Sequence, residues 1–221
     1  AGAAADQDDG AGGQVVHGVP RSRVARVGRV QPEDPGTTPT LPDEAFDHDG
    51  LITKRHLRAG AFAYLRPRPG ELLWDIGTGS GAMAIEWARA ATDARAVGLE
   101  RRPERAARAR ANAERLAPGR VSVLEGDALA LLPGLPAPDA VFVGGGASDA
   151  VLDACWDALG SGGRMVVHGV TLETEALCVE RYRAHGGALA RLLVEHAEPL
   201  GRYLGWTPQR PVIQWSCTKR P

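Results

Sequence analysis

The stretch ELLWDIGTGSGAMAIEW, Glu71 to Trp87, decides how the chain is read. Its first half is an apolar run, Leu72 to Ile76, broken only by Asp75. Its second half, with Met83 and Trp87 among alanines, has the spacing of a helix. Between the two lie Gly77, Gly79 and Gly81. Glycines at the carboxyl end of a strand let the backbone turn sharply and let a ligand reach main-chain N–H groups with no Cβ in the way. The helix that follows offers its own N-terminal donors to the same point. Such a turn suits a nucleotide-type ligand and by itself leaves the ligand open.

The texture on either side supplies the rest of a fold. "TKRHLRAGAFAYL" has apolar residues at helical spacing (Leu57, Ala61, Tyr64, Leu65) and is closed by "RPRPG". "RAVGLE" reads as a second strand ending at Glu100, and "RPERAARARANAERLA" as an Arg/Ala-rich helix with Pro103 in its first turn. "VSVLEGDA", "DAVFVGGG" and "GGRMVVHGV" read as three more strands, with helices expected at 127–132, around 148–159 and at 173–185. "ALARLLVEHAEPL" and "PVIQWSCT" are alternating or β-branched enough for strands. Strand–helix alternation with short connections predicts a doubly wound α/β domain, a mostly parallel sheet covered on both faces. The last two strands lack a helix between them, so an antiparallel edge strand is expected. Residues 1–45, rich in Gly, Ala, Asp, Pro and Thr, read as a disordered tail or interdomain linker, which puts the folded domain at 46–221.

At 221 residues there is room for one sizeable domain with a tail. Lys and Arg number 26 against 27 Asp and Glu, for a net charge of −1, which argues against a dedicated nucleic-acid or anionic-membrane binder. The arginines still allow a local patch, since the only lysines are Lys54 and Lys219. No run approaches the roughly 18–20 apolar residues of a membrane helix, and no secretory signal stands at the start. Cys155, Cys178 and Cys217 are odd in number and scattered, which predicts inert reduced thiols, a cytoplasmic protein and no metal site.

Two ligands compete for the glycine turn. Gly77-Thr78-Gly79-Ser80-Gly81-Ala82 satisfies the dinucleotide pattern, a weak signal when alone. Asp75, however, stands two residues before the first glycine, where its charge would repel a pyrophosphate and attract a cation. S-adenosyl-L-methionine has an ammonium and a sulfonium and no phosphate. Glu100 at the end of the second strand can accept both ribose hydroxyls, and Gly126-Asp127-Ala128 after the third can bracket the adenine. The order and spacing suit S-adenosyl-L-methionine better than a nicotinamide cofactor.

The segments FDHDGLITKRHLRA, LLWDIGTGSGAMAIEWARA, LEGDA, FVGGG, GGRMVVHGVTLETE and RYLGWTPQRPVIQW together resemble the cobalamin-pathway precorrin methyltransferases of the CbiT type. Within them the likeness is to the C-terminal half of the two-domain, decarboxylating C5,15-methyltransferases of the CobL type, and it runs from about Asp43 to Thr218. The pairing of "GLITK" upstream with "TLE" and "W.P..PV" downstream is more selective than the glycine motif. The resemblance implies a Rossmann-like fold and methylation of C15 of a precorrin macrocycle, with loss of carboxylate from the C12 acetate side chain. It also implies homo-oligomers, tetramers among them, and fusion to or pairing with a C5-methyltransferase domain. By position it places Thr53, the loop from Gly77 to Gly81, Glu100 and Ala128 against the cofactor. His56 departs from the family, which commonly has an acid there ("TKREVRA").

Methyl transfer from a sulfonium needs mainly alignment and exclusion of water. The conjugated macrocycle can act as its own electron sink, so no metal is called for. A polycarboxylate substrate calls for arginines, and Arg55, Arg58, Arg202 and Arg210 lie in the motif segments. Trp206 could stack on a flat ring system or pack in the core. His48, His56 and His168 are candidates for handling a proton, with solvated or core histidines as the plainer reading. Arg105, Arg108, Arg110 and Arg115 read as a wet helix face, and Trp74 and Trp87 as core. Gly144-Gly145-Gly146 stands where base-methylating enzymes tend to carry a stacking Asn/Asp-Pro-Pro-aromatic clamp, leaving backbone room for a large flat substrate. Competing readings are a tRNA adenine methyltransferase, a non-catalytic S-adenosyl-L-methionine-binding module, and a nicotinamide oxidoreductase.

Overall fold

Alternating apolar runs and helical stretches fold as their periods require. In a computed structural model, which describes residues 40–220, the runs become β1 (Leu72–Ile76), β2 (Arg95–Glu100), β3 (Val121–Glu125), β4 (Ala140–Val143) and β5 (Arg164–Gly169). They pair in parallel in the order β3-β2-β1-β4-β5. The order reverses between β1 and β4, and at such a switch point the two diverging connections leave a crevice at the carboxyl edge.

The helices are α1 (Arg55–Leu65), α2 (Ala82–Ala90), α3 (Pro103–Leu116), the short α4 (Ala128–Leu131), α5 (Asp149–Ala158) and α6 (Leu172–His185). Local chemistry starts several of them. Ser148 Oγ accepts the Val151 N–H at the head of α5, Thr171 Oγ1 accepts the Thr174 N–H at the head of α6, and Pro103 occupies the first turn of α3.

Neighbouring strand residues point to opposite faces, and both faces are dry. Leu73, Phe142 and Val166 pack with Phe62, Leu65 and Trp87 from α1 and α2. Trp74, Val141, Val143 and Met165 pack on the other face with Leu152, Cys155 and Cys178 from α5 and α6. Trp87 and Trp215 are both 0% exposed. Each indole removes about 150–250 Å² from water, roughly 4–6 kcal/mol at about 25 cal/mol per Å². Trp74 and Trp87 are therefore core, as expected, and burial pushes the thiols of Cys155 and Cys178 up to about 12 and about 11.

Four features differ from the sequence expectation. The C-terminal third holds four strands rather than two: β6 (Ala188–Leu192), β7 (Glu195–Leu200), β8 (Tyr203–Pro208) and β9 (Val212–Thr218). The last strand, β9, does not form the edge. It inserts antiparallel between β5 and β6, giving the order β3-β2-β1-β4-β5-β9-β6. β7 and β8 form a separate two-stranded ribbon.

The folded domain also begins before residue 46, because Leu41 is 1% exposed and packs against Phe46, Ile52 and Ile85. Residues 41–45 are thus part of the fold, while the rest of the expected tail, 1–39, lies outside the described residues. On α1, Tyr64 points outward and Phe62 takes the buried place. Among the described residues no helix is long and apolar enough to cross a membrane.

Candidate functional site

A cleft of about 840 Å³ opens at the carboxyl ends of β1 to β5. Its lining residues fall into two groups, a first lobe made by the β1–α2 turn and the ends of β2 and β3, and a second made by Phe142, Gly144 to Gly146, His168 and Arg210.

The glycine turn is built for close approach. Gly77, Gly79 and Gly81 all have left-handed φ, at 71°, 58° and 81°. A Cβ on Gly77 would stand 2.7 Å from the carbonyl oxygen of Gly145, so the β1–α2 and β4–α5 loops touch through bare backbone. Beneath the turn, Asp75 Oδ2 accepts the Thr78 hydroxyl at 2.5 Å and the Ala84 N–H at 3.1 Å. The carboxylate thus fastens the turn to the first turn of α2. Burial raises its pKa to about 6, opposed by those two hydrogen bonds.

Glu100 accepts the Gly79 N–H on Oε2 at 3.1 Å and the Arg102 N–H on Oε1 at 2.9 Å. A carboxylate has about four acceptor sites, so it keeps capacity for a diol while its side chain is locked in place. Asp127 is engaged as the N-cap of α4, accepting from Leu129 and Ala130. The two acids and three left-handed glycines fit a ligand with hydroxyls and a cationic end, and they disfavour a pyrophosphate beside Asp75. No group of three or more His, Cys, Asp or Glu among the described residues is arranged to hold a metal ion.

The wall facing the turn is a strap, residues 41–54, that crosses α2 and α3 before entering α1. Its anchor is Arg58, 0% exposed. The guanidinium donates to Glu86 Oε1 at 2.8 Å, Asp43 Oδ1 at 2.6 Å, the Thr53 carbonyl at 2.5 Å and the Leu41 carbonyl. Glu86 also accepts the Leu41 N–H at 2.9 Å. Burial raises the Glu86 pKa to about 7 against the pull of Arg58.

Arg58 is therefore no substrate ligand, because every bond it makes is internal. The α3 arginines are not merely a wet face either. Arg105 pairs with Asp49 at 2.7 Å, Arg108 with Asp47 at 3.5 Å, and Arg115 donates to the Ala45 carbonyl at 2.7 Å. Asn112 exchanges hydrogen bonds with the Asp47 backbone and also holds the Ser80 carbonyl. One face of α3 thus ties the strap to the glycine turn.

Of the residues singled out in the sequence, Thr53, Asp75, Gly77, Thr78, Gly79, Ser80, Glu100, Asp127, Ala128, His168 and Arg210 line the cleft. Gly81 stands one step outside it as the N-cap of α2. His48 Nδ1 accepts the Gly50 N–H in a tight turn of the strap. His56 faces His196 of β7, ring centroids 5.6 Å apart, away from the cleft. Arg55 opens α1, its backbone N–H donating to Asp43.

Arg202 stacks over Tyr203 at the tip of the ribbon, and Trp206, 73% exposed on β8, lines nothing. His48, His56, Arg55, Arg202 and Trp206 are thus all outside the cleft. Core packing is ruled out for Trp206 by the same exposure. Lys54, Arg101, Arg102, Phe142 and Gln209 line the cleft without having been expected there. Only the "RR" directly after Glu100 was a usable signal. Among the described residues no ion pair engages Arg101, Arg102 or Arg210, so the cleft has cationic groups to spare.

Residues 44–219 match the family described as "Precorrin methyltransferase domain". A relative from Sinorhizobium sp named "Precorrin-6Y C(5,15)-methyltransferase [decarboxylating]" is 49% identical over 178 residues, 80% of this chain and 43% of its own length. A relative from Pyrobaculum aerophilum named "Probable cobalt-precorrin-6B C(15)-methyltransferase (decarboxylating)" is 32% identical over 186 residues, 80% of this chain and 95% of its own. The crystal structure of the C-terminal domain of precorrin-6Y C5,15-methyltransferase from Rhodobacter capsulatus superposes with a TM-score of 0.78 at 45% identity, covering 83% of this chain and 99% of that one. The chain spans slightly under half the length of the C5,15-type relatives it matches.

Proposed function

The chain belongs to the precorrin methyltransferase family, and on that premise we propose that it transfers a methyl group from S-adenosyl-L-methionine to C15 of a precorrin and releases the C12 acetate carboxylate as CO₂. The observation that carries this reading is the glycine turn and Glu100 opening into one cleft with the second lobe over Gly144 to Gly146. The relative matched along 95% of its length has C15 alone in its name, while those with C5 as well are matched over less than half. The reading therefore covers the C15 step only.

When bound, S-adenosyl-L-methionine supplies a methyl group already activated by the sulfonium. Glu100 is placed to accept the ribose hydroxyls, and the turn from Gly77 to Ser80 to receive the amino-acid end without steric contact. Thr53 and the strap close the side of that lobe. Arg101, Arg102 and Arg210 are the cations available for substrate carboxylates, which bind guanidinium forks bidentately, while Lys54 is already paired with Asp43 at 3.7 Å. Alignment and dryness are then the protein's main contributions.

Calorimetric titration with S-adenosylhomocysteine tests the cofactor half of this. Micromolar binding is expected, weakened tenfold or more by Glu100→Ala (about 1.4 kcal/mol), with NAD silent. Absence of binding to the unaltered chain, or a preference for NAD, would overturn it.

The β7–β8 ribbon bears on assembly. An isolated two-stranded ribbon is marginal in water, yet this one holds Leu200, Tyr203, Leu204 and Trp206 at 60–73% exposure. The reading is that a second copy of the chain covers it, giving a homo-oligomer. Light scattering is expected to give a multiple of the 23.3 kDa chain mass. The double change Leu204→Glu, Trp206→Glu is expected to give monomers, and a wild-type monomer at tens of micromolar refutes the assembly.

A further inference from the structure

His168 lies near the end of β5 and pairs directly with Gln214 on β9, so the pleat puts both side chains on one face of the sheet. His168 Nε2 and Gln214 Oε1 are 2.8 Å apart. An amide oxygen only accepts, so Nε2 carries the ring proton and Nδ1 keeps the lone pair. Phe142 meets the imidazole edge-on, centroids 5.0 Å apart at 80°, which limits the ring's remaining freedom. The residue is 7% exposed and lines the substrate lobe. Its partner is an amide, so nothing in contact favours the imidazolium the way a carboxylate would. Burial pushes the pKa down to about 4.

The reaction proposed above, on which this inference rests, conserves hydrogen within the substrate. C15 exchanges a hydrogen for a methyl group, and the C12 side chain exchanges CO₂ for a hydrogen. We infer that His168 is the catalytic residue that carries this hydrogen, Nδ1 taking it from C15 and returning it to the side-chain carbon on C12, with Gln214 as the positioning residue that keeps Nδ1 free.

The steps balance. Formation of the C15–CH₃ bond leaves the macrocycle one unit more positive. The CH₂–COO⁻ bond then breaks, its electron pair enters the conjugated system and discharges that charge, and CO₂ and an exocyclic methylene result. Next the C15–H bond breaks, its pair restores conjugation, and the proton passes through Nδ1 to the methylene carbon, which becomes CH₃. No oxidant or co-reactant is required. A group that is neutral at rest suits the task, because it accepts only from a carbon made acidic by the reaction and releases readily to the next carbon. C15 is the bridge beside the ring that bears C12, so one imidazole can serve both.

The test uses a precorrin substrate deuterated at C15, turned over in ordinary water with S-adenosyl-L-methionine, with the new C12 methyl group read by mass spectrometry. The wild-type chain is expected to keep most of the deuterium there, and unlabelled substrate in D₂O is expected to acquire little. His168→Gln is expected to slow formation of the new C12 methyl group about 100-fold and to take its hydrogen from solvent. Gln214→Leu is expected to lose the label several-fold while still folding, and Gln214→Glu, whose carboxylate in contact with Nε2 favours the imidazolium, to lose it as well.

The label at the methyl group reports hydrogen transfer and is indifferent to a loss of stability alone. A wild-type product carrying only solvent hydrogen overturns the inference, as does His168→Gln with the label undiminished. A wild-type chain that binds S-adenosylhomocysteine yet turns over no precorrin overturns the substrate reading instead, and this inference with it.

Discussion

Replacing Arg58 by alanine is expected to lower the stability of the folded chain by about 3–5 kcal/mol, the range for removing one partner of a buried ion pair. The guanidinium satisfies two backbone carbonyls and two carboxylates at once. Without it, Glu86 is left buried with its second oxygen already lacking a partner. For a domain of this size the loss corresponds to roughly 6–20 °C in melting temperature. Thermal unfolding followed by circular dichroism reads the effect. The double variant Arg58→Leu, Glu86→Leu is expected to recover part of it, since an apolar pair of suitable volume often substitutes for a buried ion pair without loss. An Arg58→Ala chain that melts within about 2 °C of the parent would show that the strap is not held as described.

The second large effect is on the ligand. Gly77→Ala places a Cβ in a left-handed residue, at about 1–2 kcal/mol, and drives it to 2.7 Å from the Gly145 carbonyl oxygen, which must move. S-adenosylhomocysteine affinity is expected to fall by more than about tenfold, and with it the alignment of the two lobes. Gly70→Ala is the control. Its φ is 75° with nothing within 4 Å of the added atom, and it is not a cleft residue. It carries the same backbone strain and is expected to leave affinity unchanged. Equal loss of affinity in both variants would refute the close approach as the cause.

The five parallel strands and their helices were legible because each is a local pattern: an apolar run of the right length, a period, a cap. The glycine turn and Glu100 in one cleft were legible for a related reason, since a turn and the acid ending the next strand are fixed by the chain's own order. What escaped was nonlocal. Arg58 looks like any helix arginine until Glu86, 28 residues on, and Asp43 close round it. The arginines of α3 looked solvated because their partners, Asp47 and Asp49, lie at the start of the domain, next to a segment with no periodicity. The ribbon was missed because "YLGWTP" contains Gly and Pro and has no dry face to impose alternation. Trp206 drew attention by its chemistry, and position alone disqualified it.

The place of β9 has a temporal meaning. A chain grown as far as residue 200 has β1 to β6 in hand but lacks the strand that joins β5 to β6. Until Val212 to Thr218 emerge, β5 presents a raw edge of unpaired N–H and C=O groups. His168 meanwhile waits without Gln214. β9 supplies the pairing of β5 and the orientation of the imidazole together, so a chain grown only as far as residue 211 does not hold that histidine in register.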